Sequence, residues 1–229
     1  MHLYTIGDLH LSFGVPDKPM DIFHGWKNYQ AILKKSWEER IQLEDVVVLA
    51  GDFSWGMTLE QAHLDFAFVQ ALPGKKILLK GNHDYWWASK TKMENYFVTN
   101  GFDTLHILHN NHYAFEQFGI CGTRGWVSMN GELADERVLA REVQRLRVSI
   151  QSALQSNLKP IVFLHYPPIY GGFANESILD TLQEFEIEQC YFGHVHGRGH
   201  ASAYQGIYHG TDLRLISSDY LHFIPKKVM

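Results

Sequence analysis

The chain has 229 residues, 45% of them apolar and 20% charged, with a net charge of −5 at neutral pH. That is ordinary for a soluble globular protein with a substantial core, and the length suits one large domain. It excludes a global basic field able to hold a nucleic-acid duplex, a fold stapled by disulfides, and a membrane span, because no apolar run nears the ~20 residues a bilayer needs.

In chain order, residues 3–6 (Leu-Tyr-Thr-Ile) predict a strand, and Tyr29, Ile32, Leu33, Trp37 and Ile41 recur at helical spacing. A strand at 46–49, a helix over 59–72 and a strand at 77–79 follow. Strand and helix in alternation indicate parallel crossover units. The middle differs. Closely spaced strands are expected near 104–108, 113–115 and 120–121, then a long amphipathic helix from about 132 to 154 with its core stripe at Leu139, Val143, Leu146, Ile150 and Leu154. Strands at 161–164, 190–192, 207–208 and 213–216 complete the chain, with a short helix near 176–185 between the first two. Cys121 and Cys190 fall within apolar strands and read as reduced core thiols. Repeats, low-complexity tracts and flexible linkers are missing, so a single α/β domain over 1–229 with two sheets is expected. Asp8 and His10 interrupt any apolar leader, which points to the cytoplasm.

Five places share one design, in which an apolar strand ends and then presents Asp, Asn or His. They are Gly7-Asp8-Leu9-His10, Gly51-Asp52, Gly81-Asn82-His83-Asp84, Leu164-His165 and Gly193-His194-Val195-His196. Open α/β sheets bind ligands beyond the carboxyl ends of their strands, where each of these falls. Gly before the polar residue permits a sharp turn and a close approach of neighbouring loops. In an extended chain, residues two apart point to one side, so Asp8 and His10 can face one metal, as can His194 and His196. Carboxylate, imidazole and amide donors without thiolate suit Mn, Fe, Co or Zn better than a calcium cage or an iron–sulfur cluster. The remaining histidines, His63, His106 and His222 among them, are read as structural.

This ordered set, spanning residues 8 to 196, resembles the calcineurin-like metallophosphoesterase superfamily. The opening Gly7–Ser12 segment and Gly122-Thr123-Arg124-Gly125-Trp126 further resemble a poorly characterised bacterial branch of it. The resemblance implies a four-layer α/β/β/α sandwich, with two mixed β-sheets flanked by helices and metals at the strand C-terminal ends. It assigns Asp8, His10 and His196 to one divalent metal, Asn82, His165 and His194 to a second, and Asp52 to both. It also places His83 beside the metals as a phosphate contact and as the acid that protonates the leaving alcohol. Imidazole chemistry suits that task near neutral pH. Asp84 can hold the His83 ring or cap a helix over 87–96.

The chemistry agrees. Two divalent metals bring about four positive charges, Asp8 and Asp52 return two, and the pair can activate a shared hydroxide for in-line attack on phosphorus. The expected activity is hydrolysis of phosphomonoesters or phosphodiesters. The acidic balance favours small molecules such as nucleotides over long nucleic acids. A nuclease is the alternative enzyme, which a basic groove would support, and a non-catalytic scaffold on the same fold is the rival from another class. Candidate substrate contacts are Asn82, His83 and Arg124, the last in a Gly-flanked turn that could grip phosphate. Trp55, Tyr85, Trp86 and Trp87 can either stack on a leaving group or pack around the site. Residues 13–23 are expected to loop over the entrance, and Tyr166-Pro167-Pro168 to stiffen the backbone after His165.

Overall fold

The computed structural model describes residues 1–126 and 136–229. Its strands are β1 (Leu3–Ile6), β2 (Val46–Ala50), β3 (Lys75–Leu79), β4 (Leu105–Ile107), β5 (Tyr113–Phe115), β6 (Phe118–Thr123), β7 (Lys159–Leu164), β8 (Ile169–Tyr170), β9 (Phe173–Ala174), β10 (Gln189–Phe192), β11 (Gly206–Tyr208), β12 (Thr211–Leu215) and β13 (Lys226–Lys227). The helices are α1 (Tyr29–Arg40), α2 (His63–Gln70), α3 (Lys90–Thr99), α4 (Glu136–Gln155) and α5 (Glu176–Glu184).

Two large mixed sheets result. One has the order β13-β1-β2-β3-β4, the other β11-β12-β10-β7-β6-β5. In the first, β1 to β4 run parallel and β13 is antiparallel at the edge. In the second, β6, β7, β10 and β12 run parallel, with β5 and β11 antiparallel at the edges. The chain changes sheets between β4 and β5, within the segment where closely spaced strands were expected.

Strand alternation explains why the sheets stack. In β2, Val46, Val48 and Ala50 face the space between the sheets, whereas Val47 and Leu49 join α1, α2 and α3 on the outer side. In β7, Ile161 and Phe163 face inward, whereas Val162 and Leu164 pack against α4 and α5. Each strand is therefore apolar on both faces, which is what a sheet covered on both sides requires. The layers run helix, sheet, sheet, helix. Cys121 and Cys190 are free thiols buried on the helix side of the second sheet, and burial pushes Cys121 up to about 12. Among the described residues, no helix is long and apolar enough to cross a membrane.

The helices depart from the sequence pattern in instructive ways. α2 is shorter than residues 59–72, and Leu59 and Leu72 are buried in the flanking turns. α3 starts at Lys90, capped by the Ser89 hydroxyl rather than by Asp84. The expected start of α4 near residue 132 lies outside the described residues. At its other end, Leu154 is exposed and Ala153 takes the core position, because after Leu146 and Ile150 the buried stripe advances by three.

Phe163 is fully buried between the sheets and stacks on Tyr191 at 5.3 Å. Phe163→Ala is therefore expected to cost about 3–5 kcal/mol. The check is a lower urea midpoint with an unchanged slope.

Candidate metal centre

The five polar motifs meet at one place. Asp8 follows β1, Asp52 follows β2, Asn82 and His83 follow β3, His165 follows β7, and His194 and His196 follow β10. Both sheets thus contribute, and their parallel strands point the same ends at one another.

The local backbone is not extended, as the spacing had suggested. Asp8, His10, Asp52 and His194 have φ of 59°, 45°, 49° and 72°. Left-handed backbone at non-glycine residues is costly and persists where the surroundings impose it. Here amide hydrogen bonds impose it. The Asp8 N–H donates to the Gly51 carbonyl at 2.9 Å, and the His10 N–H to the Asp52 carbonyl at 2.9 Å. The preceding glycines matter through close approach. A Cβ on Gly81 would lie 2.1 Å from Asp52 Oδ1, and one on Gly193 would lie 2.4 Å from Asp8 Oδ2. Gly7 is different, since its Cβ would make ordinary contacts at 3.5 Å.

The side chains form two groups that could each hold a metal, Asp8 with His10 and His196, and Asp52 with His165 and His194. His194 and His196 therefore fall in different groups, whereas the strand spacing alone would let both face one metal. The turn at His194 sends its ring to the other group. His10 Nε2 faces His196 Nε2 at 3.2 Å, and His165 Nε2 faces Asn82 Oδ1 at 2.7 Å. Asp52 Oδ2 lies 3.7 Å from His10 Nε2 and 3.5 Å from His165 Nε2, between the groups. The outer nitrogens are also held. His165 Nδ1 lies 3.1 Å from the Ala50 carbonyl, and His196 Nδ1 lies 2.9 Å from Asp219 Oδ1. Such partners fix the ring and leave Nε2 free to coordinate.

The electrostatics suit cations. Burial pushes Asp8 and Asp52 above the usual carboxylate range. Burial, with the neighbouring imidazoles, holds His10 well below its ordinary value, and lowers His165 to about 3 and His194 to about 2. Burial works against a charge on His196 as well, but its hydrogen bond to Asp219 and the Asp8 charge raise it overall. The lowered imidazoles of His10, His165 and His194 are neutral donors of the kind a divalent cation needs. His10 Nδ1 is buried without a hydrogen-bond partner among the described residues. Oxygen and nitrogen donors without thiolate fit such an ion.

The other expected residues take varied places. Asp84 is buried and does not hold the His83 ring. Its Oδ1 accepts from the Phe53 and Ser54 amides and the Trp86 indole, and its Oδ2 from the Gly81 amide. It ties the β2 and β3 loops together. His83 Nδ1 has no hydrogen-bond partner among the described residues, and its ring packs on Trp55 at 4.5 Å. Arg124 is outside the cleft before the centre. Its guanidinium lies over Trp126 and 4.0 Å from buried Glu142, while its carbonyl accepts from the His165 and Tyr166 amides. Trp86 is buried packing, Trp87 is partly buried packing and Tyr85 is exposed. Met20 and Phe23, from the segment expected at the entrance, line the cleft.

Sequence reasoning missed Asp219 and Ser218. Asp219 also accepts from the Gly197 amide at 2.9 Å, and the Ser218 hydroxyl donates to the Asp8 carbonyl at 2.6 Å. Their signal was present, since Ser217-Ser218-Asp219 follows β12 as the other motifs follow their strands. Without a glycine or a histidine it resembled an ordinary turn.

Residues 1–198 match the calcineurin-like phosphoesterase family. The chain belongs to that family. It carries two candidate metal groups among the described residues. The gene 66 protein of Mycobacterium phage L5 is 31% identical to this chain over 77 residues, 34% of the chain and 37% of that relative. The matched part thus spans little more than a third of the curated relative's length. Two solved structures show the same fold at lower identity. A protein of unknown function from Aquifex aeolicus is 17% identical with a TM-score of 0.55, covering 99% of this chain and 95% of that one. Phosphopantetheinyl hydrolase from Mycobacterium tuberculosis is 12% identical with a TM-score of 0.54, covering 100% and 95%.

Two outcomes follow from the geometry. Gly81→Ala should displace Asp52 and lower metal content in the purified protein, while far-ultraviolet dichroism stays unchanged. Asp219→Asn should weaken metal affinity about 10–100-fold, the size of losing a partner behind a ligating histidine, measured by competition with a chelating dye.

Proposed function

We propose that this chain hydrolyses phosphomonoesters or phosphodiesters of small molecules with two divalent cations drawn from Mn, Fe, Zn or Co. One observation carries the reading. Asp52 Oδ2 sits within 3.7 Å of His10 Nε2 and 3.5 Å of His165 Nε2, so a single carboxylate faces both groups. In this reading Asp8, His10 and His196 hold one cation, Asn82, His165 and His194 hold the other, and Asp52 serves both. When bound, such a pair neutralises phosphoryl oxygens and lets water ionise near neutral pH.

The remaining work falls to the chain. Asp8 and Asp52 offset about two of the roughly four charges brought by the cations, and the excess draws a phosphate ester to an acidic protein. His83 lines the cleft next to Asp52. Its backbone N–H donates to Asp52 Oδ1 at 2.8 Å, and Trp55 supports its ring. The imidazole then gives its proton to the departing alcohol oxygen. Asn82 and His83 orient the ester. Among the described residues that line the cleft there is no Lys or Arg, so a polyanionic strand finds no track there. That favours a small ester over the nuclease alternative.

The test combines metal content with turnover. Mn-loaded protein should carry two equivalents and cleave aryl phosphate mono- or diesters, and Asp52→Asn should show no turnover. His83→Ala should keep its metal and lose about 10²–10⁴ in rate on esters of poor leaving alcohols, with a smaller loss on nitrophenyl esters. Full activity of that variant on an alkyl ester would remove His83 as the acid. Mn at a hundredfold excess over its dissociation constant at both sites should raise Tm by about 11–22 °C, and a chelator should reverse it.

A further inference from the structure

The cleft before the metal centre holds about 390 Å³, a volume suited to a small molecule. Its lining has two characters. His10, Asp52, His83, His194, His196 and Asp219 bring polar groups of the metal centre, and Met20, Phe23, His24, Trp26, Trp55 and Gly197 form the rest of the wall. Two of those rings already have partners. Trp26 sits edge-on to His10, His196 and Tyr29, at 5.8, 5.6 and 5.2 Å. Trp55 stacks on His10 at 5.1 Å and carries the Lys18 ammonium over its ring. Lys18 is thereby engaged and does not line the cleft.

Phe23 is different. It is 54% exposed, with no ring partner among the described residues. Its backbone is fixed nonetheless, because its N–H donates to the Met20 carbonyl at 3.0 Å and its carbonyl accepts from the Trp26 N–H at 3.1 Å. A single exposed phenyl on a convex surface is ordinary. This one stands on the wall of a cleft that also holds metal ligands, beside buried Met20. His24 is the one titratable side chain of this second set. These side chains therefore offer mainly apolar area, and the Lys18 ammonium beside them is already held over the Trp55 ring.

We propose that the alcohol portion of the natural ester is apolar and uncharged, and packs on Phe23 and Met20 while the phosphate reaches the metal centre. The proposal rests on the hydrolase reading and narrows it, away from nucleotide polyphosphates and toward aryl or alkyl phosphates. Phe23 is the specificity residue, set apart from the metal ligands.

Non-hydrolysable phosphonates separate the two ideas. Calorimetric titration of the Mn-loaded full chain would compare benzylphosphonate, methylphosphonate and 2-carboxyethylphosphonate. Benzylphosphonate should bind about tenfold tighter than methylphosphonate, the size of one aromatic stacking contact, and the carboxyethyl probe should bind no tighter than methyl. Phe23→Ser should remove that preference and leave methylphosphonate affinity within about twofold, since the lost contact belongs to the ring alone. Equal affinity of the benzyl and methyl probes, no benzyl binding, tighter binding of the carboxyethyl probe, or a preference that survives in both Phe23→Ser and the Met20→Ser/Phe23→Ser double variant would overturn the proposal. A benzyl preference without turnover of aryl phosphates would sink the hydrolase reading alone, and turnover without the preference would sink this one alone.

Discussion

The centre depends on how closely the loops approach two buried carboxylates. Asp8 and Asp52 are 0% and 1% exposed, and each is gripped by backbone amides. Both Asp8 oxygens accept from the His194 N–H, and Asp52 Oδ1 accepts from the His83 N–H. The gripping loops can come this near only because Gly193 and Gly81 lack a Cβ where the carboxylates lie. A buried carboxylate with incomplete pairing is costly, so this arrangement makes sense around a cation and little sense without one.

Most of the architecture was legible because both faces of each central strand are apolar. Runs such as Val46-Val47-Val48-Leu49 and Ile161-Val162-Phe163-Leu164 admit few alternatives to a covered strand. The convergence of the five polar motifs was legible for a related reason, since parallel strands deliver their carboxyl ends to one side. The edges were harder. β8, β9 and β13 are two-residue strands whose pairing depends on tertiary placement and leaves no pattern in the sequence. Helix ends slipped where a local cap competed with the apolar stripe, as at Ser89.

Within the site, residue types were readable and backbone conformation was not. Spacing alone paired His194 with His196, but a left-handed turn at His194 overrides the alternation on which that pairing relied. Asp84 shows a second limit. A carboxylate next to a candidate acid invites a role on its ring, yet four donors from the β2 and β3 loops claim it. Burial, with the nearby Asp52 charge, pushes it up to about 7. Its task is to join two loops that each carry a ligand. Arg124 likewise serves through its carbonyl, which receives the His165 amide, while its guanidinium turns to Glu142. Neither distinction can be made from a one-letter code.

Each candidate group draws on both sheets. His196 comes from beyond β10 to meet Asp8 and His10 from beyond β1, and His165 and His194 meet Asp52 from beyond β2. The supports extend later still, to Ser218 and Asp219 past β12. On the ribosome, then, the emerging first sheet carries carboxylates whose partners have yet to be translated. At about 5–20 residues per second, the roughly hundred residues from the end of the first sheet's parallel run to Asp219 take some 5–20 s to appear. A cation held as proposed would accordingly be loaded late in the life of the nascent chain.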